Sequence, residues 1–167
     1  MKLKYALLMD IPEGKRAGYY AQIIKALADR APVFDRDKEM LIFSSAAERE
    51  AAHGIMQQYS VPFEEMELLL LPAPVQAAPT LDDFGFTSRM ENVYVYAHLA
   101  LAGQLASMES GRSSEPLLAM EQLREHLLAF GSLEDGASYF VIEEQHRELA
   151  ERIAAAYGCR VNWLEAS

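Results

Sequence analysis

The chain has 167 residues, of which 51% are apolar and 24% are charged, and its formal net charge is −10 at pH 7. These proportions exclude a disordered chain and are typical of a globular protein that buries its own core. The acidic balance opposes binding to nucleic acid or to an anionic membrane, because both require clustered Lys and Arg side chains. We therefore predict a single α/β domain over residues 1–167 that binds neither.

The use of cysteine and the apolar runs predict where the protein resides. The only cysteine is Cys159, so the sequence excludes an intrachain disulfide and a multi-cysteine zinc site. The longest nearly apolar stretch, residues 68–78, is interrupted by prolines and is shorter than the roughly 20 residues that a membrane span needs. The apolar run at the N-terminus ends at Asp10 without the cleavage site of a signal peptide. We expect a soluble protein of the reducing cytoplasm.

Short apolar runs alternate with helical patterns in the first part of the chain. Three short, mainly apolar runs predict strands at residues 4–9, 40–43 and 66–71, and the first two have the pattern of strands buried on both faces. Apolar residues at helical spacing predict two helices between these runs, one from Ala17 to Pro32 and one from Ser45 to Val61. Ser45 and Glu48 match a capping box, in which both side chains accept backbone hydrogen bonds at the start of a helix.

The middle of the chain is predicted to be a long loop followed by two helices. Residues 72–90 contain three prolines and have no sustained period, which is typical of a functional or mobile loop. Ser88 and Glu91 match a second capping box, and apolar residues at helical spacing follow, with a break near Gly111. We predict a helical pair inserted over residues 89–130.

The alternating pattern returns near the C-terminus. Residues 139–142 and 161–164 are predicted strands, and Gly158 ends the helix between them. Strands that alternate with helices predict right-handed crossovers and a parallel sheet with helices on both faces. The expected fold is a three-layer α/β sandwich of about five mostly parallel strands, Rossmann-like in the order 3-2-1-4-5, with the helical pair inserted after the third strand.

In a sheet of this kind, ligands bind beyond the carboxyl ends of the strands, where the strand order reverses. Asp10 ends the first predicted strand, and Glu143 and Glu144 end the fourth. If these strands are parallel neighbours, the carboxylates converge on a Mg²⁺ ion beside a phosphate, with Asp10 as nucleophile or metal ligand. The alternative is that these residues begin helices, where a carboxylate is stabilised by the helix dipole.

Five further residues are candidate ligand-binding residues. Ser44 and Ser45 follow the second predicted strand, although a helix cap explains Ser45 as well. Phe84, Phe86 and Arg89 belong to the long loop. The aromatic pair is expected to form a lid over the end of the sheet or a partner-binding patch, or else to fill the core of the inserted helical pair.

Two segments resemble the haloacid-dehalogenase-like phosphatases. Residues 39–71 and 138–165 are similar to the second and fourth segments of that family, which carries a nucleophilic aspartate after strand 1, a Ser or Thr after strand 2 and acidic metal ligands after strand 4. The first motif departs from the family, because the segment from Asp10 to Gly14 lacks the second aspartate two residues after the nucleophile and the threonine that follows. The resemblance implies at most a degenerate member of the family.

Other catalytic signatures are absent from the sequence. It contains neither a glycine-rich dinucleotide or phosphate motif nor a nucleophile elbow, and its four histidines lack metal-ligand spacing. We therefore predict a non-catalytic binding domain for a small molecule or a protein partner, with no cofactor. Apolar residues on a second face of the inserted helices, such as Tyr94, Leu118 and Leu128, predict either packing against both the sheet and a neighbouring helix or the interface of a homo-oligomer. The alternative function is a Mg²⁺-dependent hydrolase of a small phosphorylated compound.

Overall fold

The computed structural model describes residues 1–12, 14, 16–108 and 113–167, without the side chains of residues 16 and 17. The strands are β1 (Lys2–Met9), β2 (Asp35–Asp37), β3 (Met40–Phe43), β4 (Phe63–Leu70), β5 (Val75–Ala77), β6 (Gly85–Thr87), β7 (Val93–Tyr96), β8 (Ala100–Ser107), β9 (Leu127–Ser132), β10 (Ser138–Glu143) and β11 (Cys159–Trp163). The α-helices are α1 (Arg16–Arg30), α2 (Ala46–Gln58), α3 (Pro116–Leu123) and α4 (Arg147–Ala156). Short 3-10 helices cover Pro79–Asp83, Arg124–His126 and Glu144–His146. Within the described residues, no helix has the length and apolar character that crossing a membrane requires.

The strands form two antiparallel sheets. Sheet A has the order β2-β3-β1-β4-β7-β6, and sheet B has the order β11-β8-β10-β9-β5. Each pairing between described strands is antiparallel. The prediction of a three-layer, mostly parallel, Rossmann-like sandwich in the order 3-2-1-4-5 is therefore wrong.

The burial of β10 explains this error. Its continuous apolar run predicted a strand with helices on both sides, and the strand is indeed buried on both faces. Phe140 and Ile142 pack against α3 and α4, but Tyr139 and Val141 belong to a core that sheet B shares with sheet A. A second sheet thus covers the face that helices cover in a parallel fold.

Both sheets contain the same β-α-β-β-α-β unit, a split β-α-β motif. The unit β1-α1-β2-β3-α2-β4 in sheet A matches β8-α3-β9-β10-α4-β11 in sheet B, and both place their strands in the spatial order fourth, first, third, second. The other strands extend these units, since β7 and β6 continue from β4 while β5 pairs with β9. The duplication is one of topology, because the sequence shows no internal repeat.

The predicted helical pair over residues 89–130 is also wrong. Residues 93–96 form β7 and residues 100–107 form β8, and among the described residues of this range only the eight residues of α3 are α-helical. The β-branched and aromatic residues of β7 favour a strand over a helix. Tyr94 and Leu128 are buried inside the chain, as expected from packing within the fold, whereas Leu118 is 45% exposed. The homo-oligomer stays a prediction. The predicted break at Gly111 lies outside the described residues.

The long loop predicted over residues 72–90 contains regular structure. It includes the strand β5, which pairs with β9 of sheet B, and the strand β6, which pairs with β7 of sheet A. The 3-10 helix Pro79–Asp83 lies between them. Short strands of three residues separated by prolines carry too little period to be recognised from sequence.

Several local predictions are confirmed. Ser45 caps α2, because its Oγ accepts a hydrogen bond from the backbone N–H of Glu48 at 3.2 Å. The Glu48 carboxylate in turn accepts the N–H of Ser44 at 3.1 Å. Gly158 follows α4 with a φ of 69°, the left-handed conformation expected there.

Sheet A is curled so that its two edges meet. Four strand spacings separate β2 from β7, which is about 19 Å in a flat sheet. The Tyr94 hydroxyl on β7 nevertheless donates a hydrogen bond of 2.8 Å to Asp35 on β2. The face opposite α1 and α2 is therefore turned inward, and it buries Ala6, Met40, Ile42, Leu68 and Tyr94.

Candidate functional site

The structure does not bring Asp10 together with Glu143 and Glu144. Asp10 follows β1 in sheet A, whereas Glu143 ends β10 in sheet B and Glu144 begins the next 3-10 helix. The parallel adjacency on which a magnesium site was predicted is absent. Among the residues that the structure describes, no group of three or more His, Cys, Asp and Glu side chains is arranged to hold a metal ion. The three carboxylates therefore do not form the predicted metal site, and a catalytic role for Asp10 stays a prediction.

The two glutamates have local partners instead. Glu143 Oε2 lies 3.0 Å from His146 Nδ1 and accepts a hydrogen bond from Gln145 Nε2 at 3.0 Å. Glu144 Oε1 lies 3.5 Å from Arg147 Nε. Asp10 is exposed and precedes α1 by six residues, so it is not the N-cap of that helix. Glu13, which was expected to complement the helix dipole, lies outside the described part of the chain.

The predicted ligand-binding residues are dispersed over the structure. Ser44 Oγ accepts a hydrogen bond from Lys4 Nζ at 3.3 Å, and Ser45 serves as the α2 cap. Phe84 is half-buried against the core shared by the two sheets. Phe86 stacks on Tyr94 with ring centroids 5.2 Å apart. Their roles in ligand binding remain predictions.

Arg89 differs from these residues because it lines a large cavity. This cavity has a volume of about 990 Å³ and lies between α1, β2 and the turn that joins β6 to β7. We call it the α1–β2 cavity, and it is lined by Ile11, Tyr20, Ile24, residues 33–39, Arg89 and Met90.

Two walls of the α1–β2 cavity present exposed apolar side chains. Phe34 is 40% exposed and Met90 is 70% exposed, on opposite edges of sheet A. Ile24 and Val33 are half-buried beside Phe34. Exposed apolar side chains that converge on one concave surface are typical of binding sites.

Three cationic side chains accompany this apolar surface. Within the described residues, Arg36, Lys38 and Arg89 form no ion pair with a carboxylate. The guanidinium of Arg36 lies 5.9 Å from the centroid of the Tyr20 ring. In the part of the chain that the structure describes, these three cations are thus outside any salt bridge, although the net charge of the chain is −10.

A buried carboxylate forms the junction between the two edges of sheet A. Asp35 is 3% exposed, and its Oδ1 accepts the backbone N–H of Arg36 at 2.8 Å. Its Oδ2 accepts hydrogen bonds from Tyr94 Oη at 2.8 Å and from Asn92 Nδ2 at 3.0 Å. Burial alone would raise the pKa of Asp35, but these hydrogen bonds and one from Ser88 outweigh it and lower the pKa below its ordinary value.

The pKa of Tyr94 is shifted in the opposite direction. Burial, together with its hydrogen bond to the Asp35 carboxylate and the charge of that group, raises the pKa of the Tyr94 hydroxyl far above its ordinary value. The hydroxyl therefore stays protonated and donates to an ionised carboxylate, a type of hydrogen bond that is stronger than one between neutral groups.

The turn that carries Arg89 and Met90 is closed by its own hydrogen bonds. The N–H of Ser88 donates to the Asn92 carbonyl at 2.8 Å, and the N–H of Asn92 donates to Ser88 Oγ at 3.3 Å. Because Ser88 and Asn92 also contact Asp35, the turn is joined to β2 at its base. Arg89 and Met90 project from this fixed base.

Sequence reasoning missed the residues of β2. The segment from Phe34 to Lys38 is short and rich in alternating charges, so no apolar period marked it as a strand. Asp35 looks like an ordinary surface residue in the sequence, and only the curl of sheet A reveals that it is buried. Of the cavity-lining residues, Arg89 alone was a predicted binding residue.

The resemblance to haloacid-dehalogenase-like phosphatases is not supported by the fold. Residues 39–71 lie in sheet A and residues 138–165 lie mainly in sheet B, whereas the family's motifs meet at one edge of a parallel sheet. Comparisons of the chain with protein-family models, with curated proteins and with solved structures found no match.

Proposed function

We propose that this protein is a non-catalytic binding domain that takes a small amphipathic anion in the α1–β2 cavity. The observation that carries the proposal is the combination, around one concave surface, of exposed apolar side chains with three cations that form no ion pair with a carboxylate of the described residues. The apolar residues would cover the body of the ligand, and the cations would bind its charged group.

The size and composition of the cavity support this class of ligand. Its volume of about 990 Å³ is at the upper end of the range typical of small-molecule sites. Arg36 and Arg89 carry planar guanidinium groups, which match the geometry of a carboxylate, sulfonate or phosphate. Asp35, Asp37 and Glu39 also line the cavity, so its charge is mixed. The Asp35 carboxylate is occupied by its own hydrogen bonds. We expect the anionic group to lie on the Arg36 and Arg89 side, away from Asp37 and Glu39.

The location of the protein is proposed on separate grounds. Its single cysteine, Cys159, is buried and free, which is compatible with a reducing compartment. We propose the cytoplasm.

The binding proposal is tested by a fluorescence titration with 8-anilinonaphthalene-1-sulfonate, a probe with an apolar aromatic body and one sulfonate. We expect saturable binding to one site in the wild-type protein. Arg89→Gln should weaken binding by removing a cation, and Met90→Gln should weaken it by removing an apolar wall.

Two substitutions elsewhere serve as matched controls. Arg160→Gln removes an exposed cation from β11, and Leu117→Gln removes a leucine of α3 that is 85% exposed. Neither control should change the Kd of the probe. Equal affinity of the wild type, Arg89→Gln and Met90→Gln would exclude the α1–β2 cavity as the binding site.

A further inference from the structure

The two apolar walls of the α1–β2 cavity belong to opposite edges of sheet A. Phe34 adjoins β2, whereas Met90 lies in the turn between β6 and β7. These edges are the first and last strands of a six-stranded sheet, so no backbone pairing fixes their separation. The width of the cavity therefore depends on side-chain contacts between the edges.

Asp35 is where these contacts converge. In the described part of the chain, the side-chain hydrogen bonds that join β2 to the β6–β7 hairpin all end on its carboxylate, from Tyr94, from Asn92 and from Ser88. Tyr94 and Asn92 do not line the cavity themselves. A change in either side chain can thus alter the cavity without removing a ligand contact.

We infer that Asp35 is a positioning residue, whose carboxylate holds Arg89 and Met90 at the distance from Phe34 that ligand binding requires. This inference rests on the proposed binding function. A ligand that contacts both walls would favour the arrangement in which β2 and the β6–β7 turn lie close together. Each hydrogen bond to Asp35 stabilises this arrangement before the ligand binds, so less of the binding free energy is spent on forming it. Loss of one of these bonds should weaken binding, although the ligand does not touch the altered side chain.

The test compares two tyrosines that are both fully buried. Tyr94→Phe removes the 2.8 Å hydrogen bond to Asp35, and Tyr139→Phe removes a 2.8 Å hydrogen bond to the Pro72 carbonyl, away from the cavity. We expect Tyr94→Phe to weaken binding of 8-anilinonaphthalene-1-sulfonate by about tenfold, since a hydrogen bond to a charged acceptor is lost. Tyr139→Phe should leave the Kd of the probe unchanged.

Hydrogen exchange without any ligand provides a second readout. Amide exchange at residues 88–92 should accelerate in Tyr94→Phe and in Asn92→Ala, and it should be unchanged in Tyr139→Phe. A merely structural tyrosine would alter global stability without this local change. Asn92→Ala keeps the test decisive if Tyr94→Phe does not fold.

The outcomes separate this inference from the proposed function. Absence of probe binding to the wild type would refute the binding proposal, while the exchange data would still decide whether Asp35 holds the turn. Unchanged exchange at residues 88–92 in both variants would overturn the inference. Faster exchange with an unchanged Kd would also overturn it, because the turn would then move without affecting binding.

Discussion

Asp35 shows how one residue can join parts of a sheet that are distant along the strand order. A buried carboxylate is unfavourable unless its charge is compensated by hydrogen bonds. Here Tyr94, Asn92, Ser88 and the N–H of Arg36 supply them, and their combined effect on the pKa exceeds that of burial. The ionised form is therefore the one that the folded chain stabilises.

The shifted pKa predicts a specific dependence of stability on pH. Because the pKa of Asp35 is lower in the folded chain than in the unfolded chain, its contribution is present above about pH 4 and is lost as pH falls through the folded pKa. Asp35→Asn should lower the free energy of unfolding by about 2–4 kcal/mol at pH 7. The difference between wild type and variant should shrink as the solution is acidified below about pH 4.

Urea unfolding at a series of pH values measures this difference. Asp83→Asn, at the exposed end of a 3-10 helix, is the control and should leave the free energy of unfolding nearly unchanged. A penalty for Asp35→Asn that stays constant from neutral to acidic pH would contradict the role assigned to the carboxylate.

Sequence patterns predicted elements best where local signals and tertiary structure agree. The Ser45 capping box located the start of α2, and the apolar runs located β1, β3 and β10. The same runs led to the wrong prediction of parallel strand pairing. A continuous apolar run indicates that both faces of a strand are buried, but it does not indicate which elements cover them. Nothing in the sequence distinguishes helices on both faces from helices on one face and a sheet on the other.

At β8 the sequence pattern predicted the wrong type of element, a helix instead of a strand. Its sequence is rich in alanine and leucine, which favour a helix, yet its pairing with β10 and β11 makes it a strand. Gly103 lets these neighbours approach, since a Cβ there would lie 2.9 Å from Val161 Cγ1 and 3.0 Å from Phe140 Cζ. Tertiary packing overrides local propensity at this element. The candidate site was missed for a different reason, because the three charged residues of β2 carry no apolar period.

Substitution of glycine should therefore have opposite effects in β8 and in α2. Gly103→Ala should lower the free energy of unfolding by about 1–3 kcal/mol, because the added methyl group forces its neighbours apart. Gly54→Ala should raise it by about 0.5–1 kcal/mol, because a Cβ at that position of α2 meets no atom within 4 Å and alanine favours a helix. Urea denaturation of both variants checks the signs, and a neutral Gly103→Ala would show that β8 is not closely packed.

At the scale of the whole molecule, two units of the same topology share one core. Leu69 and Val95 of sheet A lie in the same buried cluster as Ala102, Tyr139 and Val141 of sheet B. Neither sheet can keep this face covered alone, since separation would expose it to water. The sequence indicated a buried core but not its division between two sheets, because periodicity identifies the faces of an element and not their partners.

We therefore expect the two sheets to unfold in one transition. The only tryptophan, Trp163, lies in sheet B, where it packs against Phe140, so its fluorescence follows that sheet, whereas far-UV circular dichroism follows both. The urea unfolding curves measured by fluorescence and by circular dichroism should coincide.

A substitution in sheet A should also be detected in sheet B. Leu69→Ala, in sheet A, should lower the free energy of unfolding reported by Trp163 by about 2–4 kcal/mol, because it leaves a cavity in the shared core. Leu117→Ala, at an exposed position, should change it by less than about 0.5 kcal/mol. A fluorescence transition that is insensitive to Leu69→Ala would mean that sheet B is stable without its contacts to sheet A.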